Sequence, residues 1–238
     1  MSVFLEAMPH GPIDTVFEDL FFVTGTMKNE FFGSMWQFSR NMTIVREGDE
    51  LTIINSIRLD DEGLTALDAL GKVKHVVRIG DMHGVDDPFY VDRYKATFWA
   101  PQGMVVEEGL QIDKELTEGG EMPFGQSSLF AFKTVERPEA IIRMDRDGGV
   151  LIACDALQNW TEPNQFFDDA TAATMKEMGF FKAANLGPAW MMGSKPQADD
   201  FVRLKNISFS HALCGHGSPL LNSAQQDFHA TFNQIFGV

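Results

Sequence analysis

Ile79-Gly80-Asp81-Met82-His83-Gly84-Val85-Asp86-Asp87 follows a compact apolar strand, Val73 to Ile79, and precedes a helix that Pro88 is suited to open. Four acidic or imidazole side chains therefore leave the carboxyl end of one strand together, which is where ligands collect in α/β sheets. Asp81 and His83 are two residues apart, so in an extended turn their side chains point the same way. Asp86 comes one short turn later, and Asp87 has the position and chemistry of an N-cap. The segment reads either as a metal-ligand loop or as a solvated turn ahead of a capped helix.

Working outward, the flanking sequence predicts strands and helices in alternation. Asp19 to Thr26 is β-branched and aromatic and ends near Gly25, and Trp36–Arg46 with Leu51–Ile57 flank a polar Glu47-Gly48-Asp49-Glu50 loop, a hairpin pattern. A helix capped by Asp60 or Asp61 carries Leu64, Leu67 and Leu70 and stops at Gly71. Ala96 to Ala100 supplies the next strand, and the alternation is that of βαβ units on a buried sheet. Further strands are expected at Ser128–Val135, Ala140–Asp145, Val150–Cys154 and Ile207–Leu213, with a helix over 164–178 capped by Thr161. The last helix has a Ser223/Gln226 capping box, an apolar stripe of Phe228, Phe232, Ile235 and Phe236, and a Gly237 stop. Two halves that each run from strands to strand and helix indicate one domain over residues 1–238, built in layers.

Two other strand ends carry chemistry. Leu151-Ile152-Ala153-Cys154-Asp155 delivers a carboxylate where burial is costly unless it is paired or coordinated. Cys214-Gly215-His216-Gly217 places an imidazole in a tight turn of little bulk, where it would be accessible. Cys154 and Cys214 precede these groups and, by strand alternation, would point to the opposite face as small buried hydrophobes.

Taken in order and spacing, these three segments resemble the metallo-β-lactamase superfamily over roughly residues 20–220. The resemblance implies a mixed α/β fold, an αββα four-layer sandwich with a metal site on one edge. It aligns Asp81 with the first His of the HxHxDH loop and His83 with the second; Val85 falls on the Asp and Asp86 on the last His. A one-residue slip would bring Asp86 and Asp87 onto that pair. Thr134-Val135-Glu136-Arg137-Pro138 resembles the next His-containing turn, with Glu136 in the place of the His; Asp155 matches the bridging Asp and His216 the final His. The implied ligand set is Asp81, His83, Asp86, Glu136, Asp155 and His216, with Asp155 also bridging the ions or orienting water. So many carboxylates shift preference from zinc toward Mn²⁺ or Fe²⁺, for one or two divalent ions. The implied chemistry is hydrolysis of a small-molecule substrate; the alternatives are a binding protein that has lost the metal pair and a non-haem iron redox protein.

Composition limits the other classes. The 238 residues hold 19 Lys+Arg against 34 Asp+Glu, a net charge of −15, which disfavours binding to a phosphate backbone and so argues against nucleic-acid partners. No apolar run has the ~18 residues of a membrane span, and the first ten residues lack the features of a secretory signal. Two cysteines make no disulfide framework. A protein that meets no membrane and resides in the cytoplasm is the expectation, its oligomeric state open. With 21 Phe and 13 Met but 2 Tyr, the interior should be aromatic and adaptable.

Overall fold

The computed structural model describes residues 4–31 and 33–238. Its first half is a sheet of seven strands in chain order. β1 (Asp14–Phe17), β2 (Leu20–Phe31), β3 (Ser34–Glu47) and β4 (Glu50–Ile54) form an antiparallel meander. The expected hairpin is there: Glu47 pairs with Glu50, and Gly48 adopts φ +65° in the turn between them. α1 (Asp61–Leu70) then leads to β5 (Lys72–Val77), and α2 (Asp87–Tyr94) leads to β6 (Thr97–Pro101), with β7 (Lys114–Leu116) last; β4 to β7 are parallel. Asp60 caps α1 by accepting from the Gly63 amide at 2.8 Å. At α2 the capping expectation is corrected. The N-cap position is Asp86 and its side chain makes no cap bond, because both acidic residues are bound to arginines.

The second half holds β8 (Ser127–Ala131), β9 (Ala140–Met144), β10 (Val150–Ile152) and β13 (His211–Leu213), in the order β13-β10-β9-β8. β11 (Leu157–Trp160) and β12 (Lys182–Leu186) pair separately. Around them lie α3 (Asp169–Glu177), α4 (Pro188–Ser194), α5 (Ala198–Lys205) and α6 (Ala224–Phe236). Three local expectations change. α3 starts at Asp169 and is capped by Asp168 rather than Thr161, and the last strand is only His211–Leu213. In α6 the Ser223 hydroxyl donates to Asp227 Oδ2 at 2.6 Å instead of capping an amide, and Ile235 is exposed while Phe228 and Phe232 are buried.

Alternation along single strands explains the layering. Leu20 and Phe22 face the core between the sheets, whereas Phe21 and Val23 face the core beneath α1 and α2. In the second sheet Ile142, Val150 and Ile152 join the inter-sheet core, and Ile141 and Leu151 pack under α4, α5 and α6 with Trp190, Phe201 and Phe232. A strand residue has two faces to offer, and here both are apolar, so each sheet is covered twice. The result is an αββα sandwich with three stacked cores, each fully buried large side chain contributing ~1.5–3 kcal/mol. Among the described residues no helix is long and apolar enough to cross a membrane.

Candidate metal centre

β10 and β13 are neighbours and parallel, with Ile152 opposite Leu213. Asp155 and His216 each come three residues later, so the register alone brings them to the same edge. The loop after β5 reaches that edge from the other sheet: Gly80 bridges Glu139, and the Ala140 amide donates to the Ile79 carbonyl at 2.8 Å. Glycine is required where these loops meet. A Cβ at Gly80 would stand 2.5 Å from Cys154 Sγ, and one at Gly217, whose φ is +85°, would stand 2.0 Å from the Asn159 carbonyl oxygen. The glycines around His216 thus serve close packing, and the imidazole is buried instead of accessible, stacked on Trp160 at 4.5 Å.

Three side chains converge. His83 Nε2 lies 3.1 Å from His216 Nε2 and 3.3 Å from Asp155 Oδ2, and His216 Nε2 lies 3.1 Å from Asp155 Oδ1. His216 Nδ1 faces the Ser39 carbonyl at 3.0 Å, so that nitrogen carries the proton and a neutral ring leaves Nε2 an acceptor. His216 Nε2 and Asp155 Oδ1 then meet lone pair to lone pair unless an added proton or a cation lies between them. His83 Nδ1 is buried without a partner. Burial holds His83 below the usual imidazole range, with Asp155 pulling the other way. Burial alone would raise Asp155, but the two imidazoles outweigh it and keep the carboxylate ionised far into acid.

The donor set fits a divalent ion. Ligand atoms ~2.1 Å from a tetrahedral ion stand about 3.4 Å apart, close to the spacing of these three groups. Three protein ligands with a free position is the arrangement of catalytic rather than structural zinc. The Ser39 carbonyl fixes the His216 tautomer, as an outer partner of a ligating imidazole does. Cys154 also belongs to the cluster: its Sγ lies 3.4 Å from Asp155 Oδ2 and within 4.8 Å of the His83 and Asp155 ligand atoms. Burial and the neighbouring carboxylates push its thiol well up.

Other expected residues stand elsewhere. Asp81 lies at the rim, accepting from Arg137 Nη1 at 3.1 Å. Asp86 is buried against Arg40 and accepts from the Arg58 amide at 2.7 Å, turned away from the imidazoles. Asp87 is fully buried on Arg78 Nε at 2.8 Å. Glu136 is on the surface, paired with Lys195 at 2.8 Å, because its backbone joins α4 through the Ser194 carbonyl. The buried carboxylate that does reach the cluster is Glu139, three residues further on, which accepts from the Ala156 amide. Burial and the charge of Asp155 raise Glu139 well above the usual carboxylate range. Its signal in the sequence was a charged residue immediately before the apolar run Ala140-Ile141-Ile142.

Above the cluster opens a cavity of about 330 Å³, walled by aromatic and methionine side chains including Trp36, Phe38, Trp160 and Met175. Arg40, Glu107 and Gln158 are polar groups on its wall.

The sandwich with a histidine–carboxylate site on its edge defines a fold class. No family model matches the chain, and no curated protein matches it. Solved structures do. A metallo-β-lactamase from Erythrobacter litoralis superposes with a TM-score of 0.58 at 12% identity, over 94% of this chain and 92% of that one. The DIM-1 metallo-β-lactamase, in a crystal exposed to ceftazidime, gives 0.61 at 10% identity over 96% and 99%. The FIM-1 enzyme of Pseudomonas aeruginosa in its mono-zinc form gives 0.57 at 11% identity over 97% of each chain. This chain has the metallo-β-lactamase fold.

Proposed function

We propose that the chain is a metal-dependent hydrolase of a small molecule, holding one divalent ion between His83, Asp155 and His216. The observation that carries this reading is the convergence of two imidazoles and a carboxylate, their facing atoms 3.1–3.3 Å apart, at the floor of a cavity. An ion there would polarise a substrate carbonyl or phosphoryl oxygen and make water nucleophilic near neutral pH. Asp155 supplies the negative charge that offsets the ion. Ser39 and Trp160 hold the His216 ring in one tautomer and one plane. Burial and the charge of Asp155 raise Glu139 above the usual carboxylate range, which disfavours a second buried charge, and Asp81 stands at the rim, paired with Arg137. The aromatic wall surrounds the floor with apolar surface. Zinc, Mn²⁺ and Fe²⁺ all accept two imidazoles and a carboxylate.

The same donor set serves non-haem iron, which supports the redox reading as the alternative. Loading the protein with Zn²⁺, Mn²⁺ or Fe²⁺ and assaying esters, thioesters, lactones, lactams and phosphodiesters separates the two. Turnover of one class, abolished in Asp155→Asn, is the expected result. A bound ion with no turnover would leave a binding protein, and a visible absorption band that changes with reduction would favour the redox reading.

A further inference from the structure

A second lobe of about 400 Å³ adjoins the cavity over the metal centre, and the two share Met27, Asn29, Arg40 and Val85. Arg40 is 6% exposed; its Nη2 donates to Asp86 and its Nη1 to the Ser56 carbonyl at 3.4 Å, while Nε has no partner. The Asp86 oxygen that takes Arg40 also accepts from the Arg58 amide, so one carboxylate holds both arginines at this lobe. The Arg58 guanidinium sits over Phe89, its central carbon 3.1 Å from the ring centroid. Among the described residues no ion pair involves Arg58, and its Nε and Nη1 are buried without hydrogen-bond partners.

We propose that Arg40 and Arg58 form an anion-binding subsite that takes the carboxylate or phosphate group of an amphipathic substrate. The local charge supports it: the lobe is lined by Arg40, Arg58 and Lys28 against Asp86 and Glu6, in a chain whose net charge is −15. A planar guanidinium held on an aromatic ring is preorganised to present its edge to an oxyanion. Apart from Thr26 and Asn29 the rest of the lobe is apolar, with Leu5 and Met35 at 64% and 58% exposure on its rim and Met8 and Met27 in its wall. Methionine walls adapt to flexible chains. An anion with an apolar body satisfies both features at once, whereas an inorganic anion would leave the apolar surface wet. Asp86 is thereby a positioning residue for this subsite.

Which bond of the substrate is cut rests on the hydrolase reading; the anion subsite itself does not. The test is a titration of the full-length protein, zinc-loaded and zinc-free, followed by tryptophan fluorescence, since Trp36 and Trp160 line the neighbouring cavity. The probes are octanoate, octyl phosphate and the neutral octanol. The expected result is that at least one anion binds roughly tenfold or more tightly than octanol, with the better of the two identifying the headgroup. Arg58→Gln should erase that preference and Arg58→Lys restore part of it, with circular dichroism confirming that both fold. His216→Ala should abolish zinc binding and keep the preference, so that failure of the metal reading leaves this inference standing. Octanol binding as tightly as both anions would overturn it. So would a preference that survives Arg58→Gln, or one that disappears with zinc, which would put the anion on the metal.

Discussion

The β10–β13 edge and the loop after β5 both send acidic residues out of the end of a strand, yet they use them oppositely. At the first, Asp155 turns inward and meets two imidazoles. At the second, Asp86 and Asp87 turn away and each is bound to an arginine, Arg40 and Arg78. The inward pair is set by backbone register: parallel strands with Ile152 beside Leu213 deliver Asp155 and His216 together. The outward pair is set by partners 46 and 9 residues distant in the chain. A strand end therefore places a charged group near a site, and the surrounding charges decide whether it serves that site.

The comparison can be broken at either region. The largest effect is expected for Asp87→Ala, which leaves the Arg78 guanidinium, 1% exposed, short of its buried partner. Loss of one member of such a pair costs ~3–5 kcal/mol, readable in urea denaturation, and the proposed metal ligands themselves are untouched. Gly217→Ala attacks the other region, since the new Cβ meets the Asn159 carbonyl at 2.0 Å in a backbone of positive φ. A loss of roughly 2–4 kcal/mol is expected there, together with the proposed metal site, because His216 is carried by the same turn.

Acidification gives a smaller effect. His75 Nδ1 accepts from the Trp99 indole N–H at 3.0 Å, and burial holds the ring below the usual imidazole range. The unfolded chain binds that proton more readily than the folded one. The contribution is thus complete above an unfolded value of about 6.5 and lost as pH falls. Thermal melting temperature should fall between pH 7 and pH 5, and His75→Gln should flatten the slope; an unchanged slope would exclude His75 as its source. Smallest of all is Glu136→Gln. It removes one surface ion pair with Lys195, expected to change stability by less than ~0.5 kcal/mol and metal content not at all. Loss of the ion in that variant would return Glu136 to the ligand set.

The layered fold was legible because it is written locally. Leu20-Phe21-Phe22-Val23 and Val150-Leu151-Ile152 are apolar on both alternating faces, which is what a sheet covered on two sides demands. His83, Asp155 and His216 were legible for a related reason, each lying just past an apolar strand. Cys154 was misplaced by carrying strand alternation one turn too far: β10 ends at Ile152, and beyond it the chain bends the thiol toward Asp155. Glu139 was passed over for Glu136 because the anchors Thr134 and Pro138 fix the turn but not which carboxylate enters the interior. The fates of Asp86 and Asp87 depend on Arg40 and Arg78, and no local spacing reveals pairings made by the fold.

His83, Asp155 and His216 are proposed to hold one ion. Elemental mass spectrometry on protein purified without chelator or His-tag, then reconstituted, tests it most directly. One equivalent of Zn, Mn or Fe should be found in the wild type, in Asp86→Asn and in Glu136→Gln, and none in the Asp155→Ala/His216→Ala double variant. A wild type that takes up no metal, or a double variant that keeps its ion, would contradict the account.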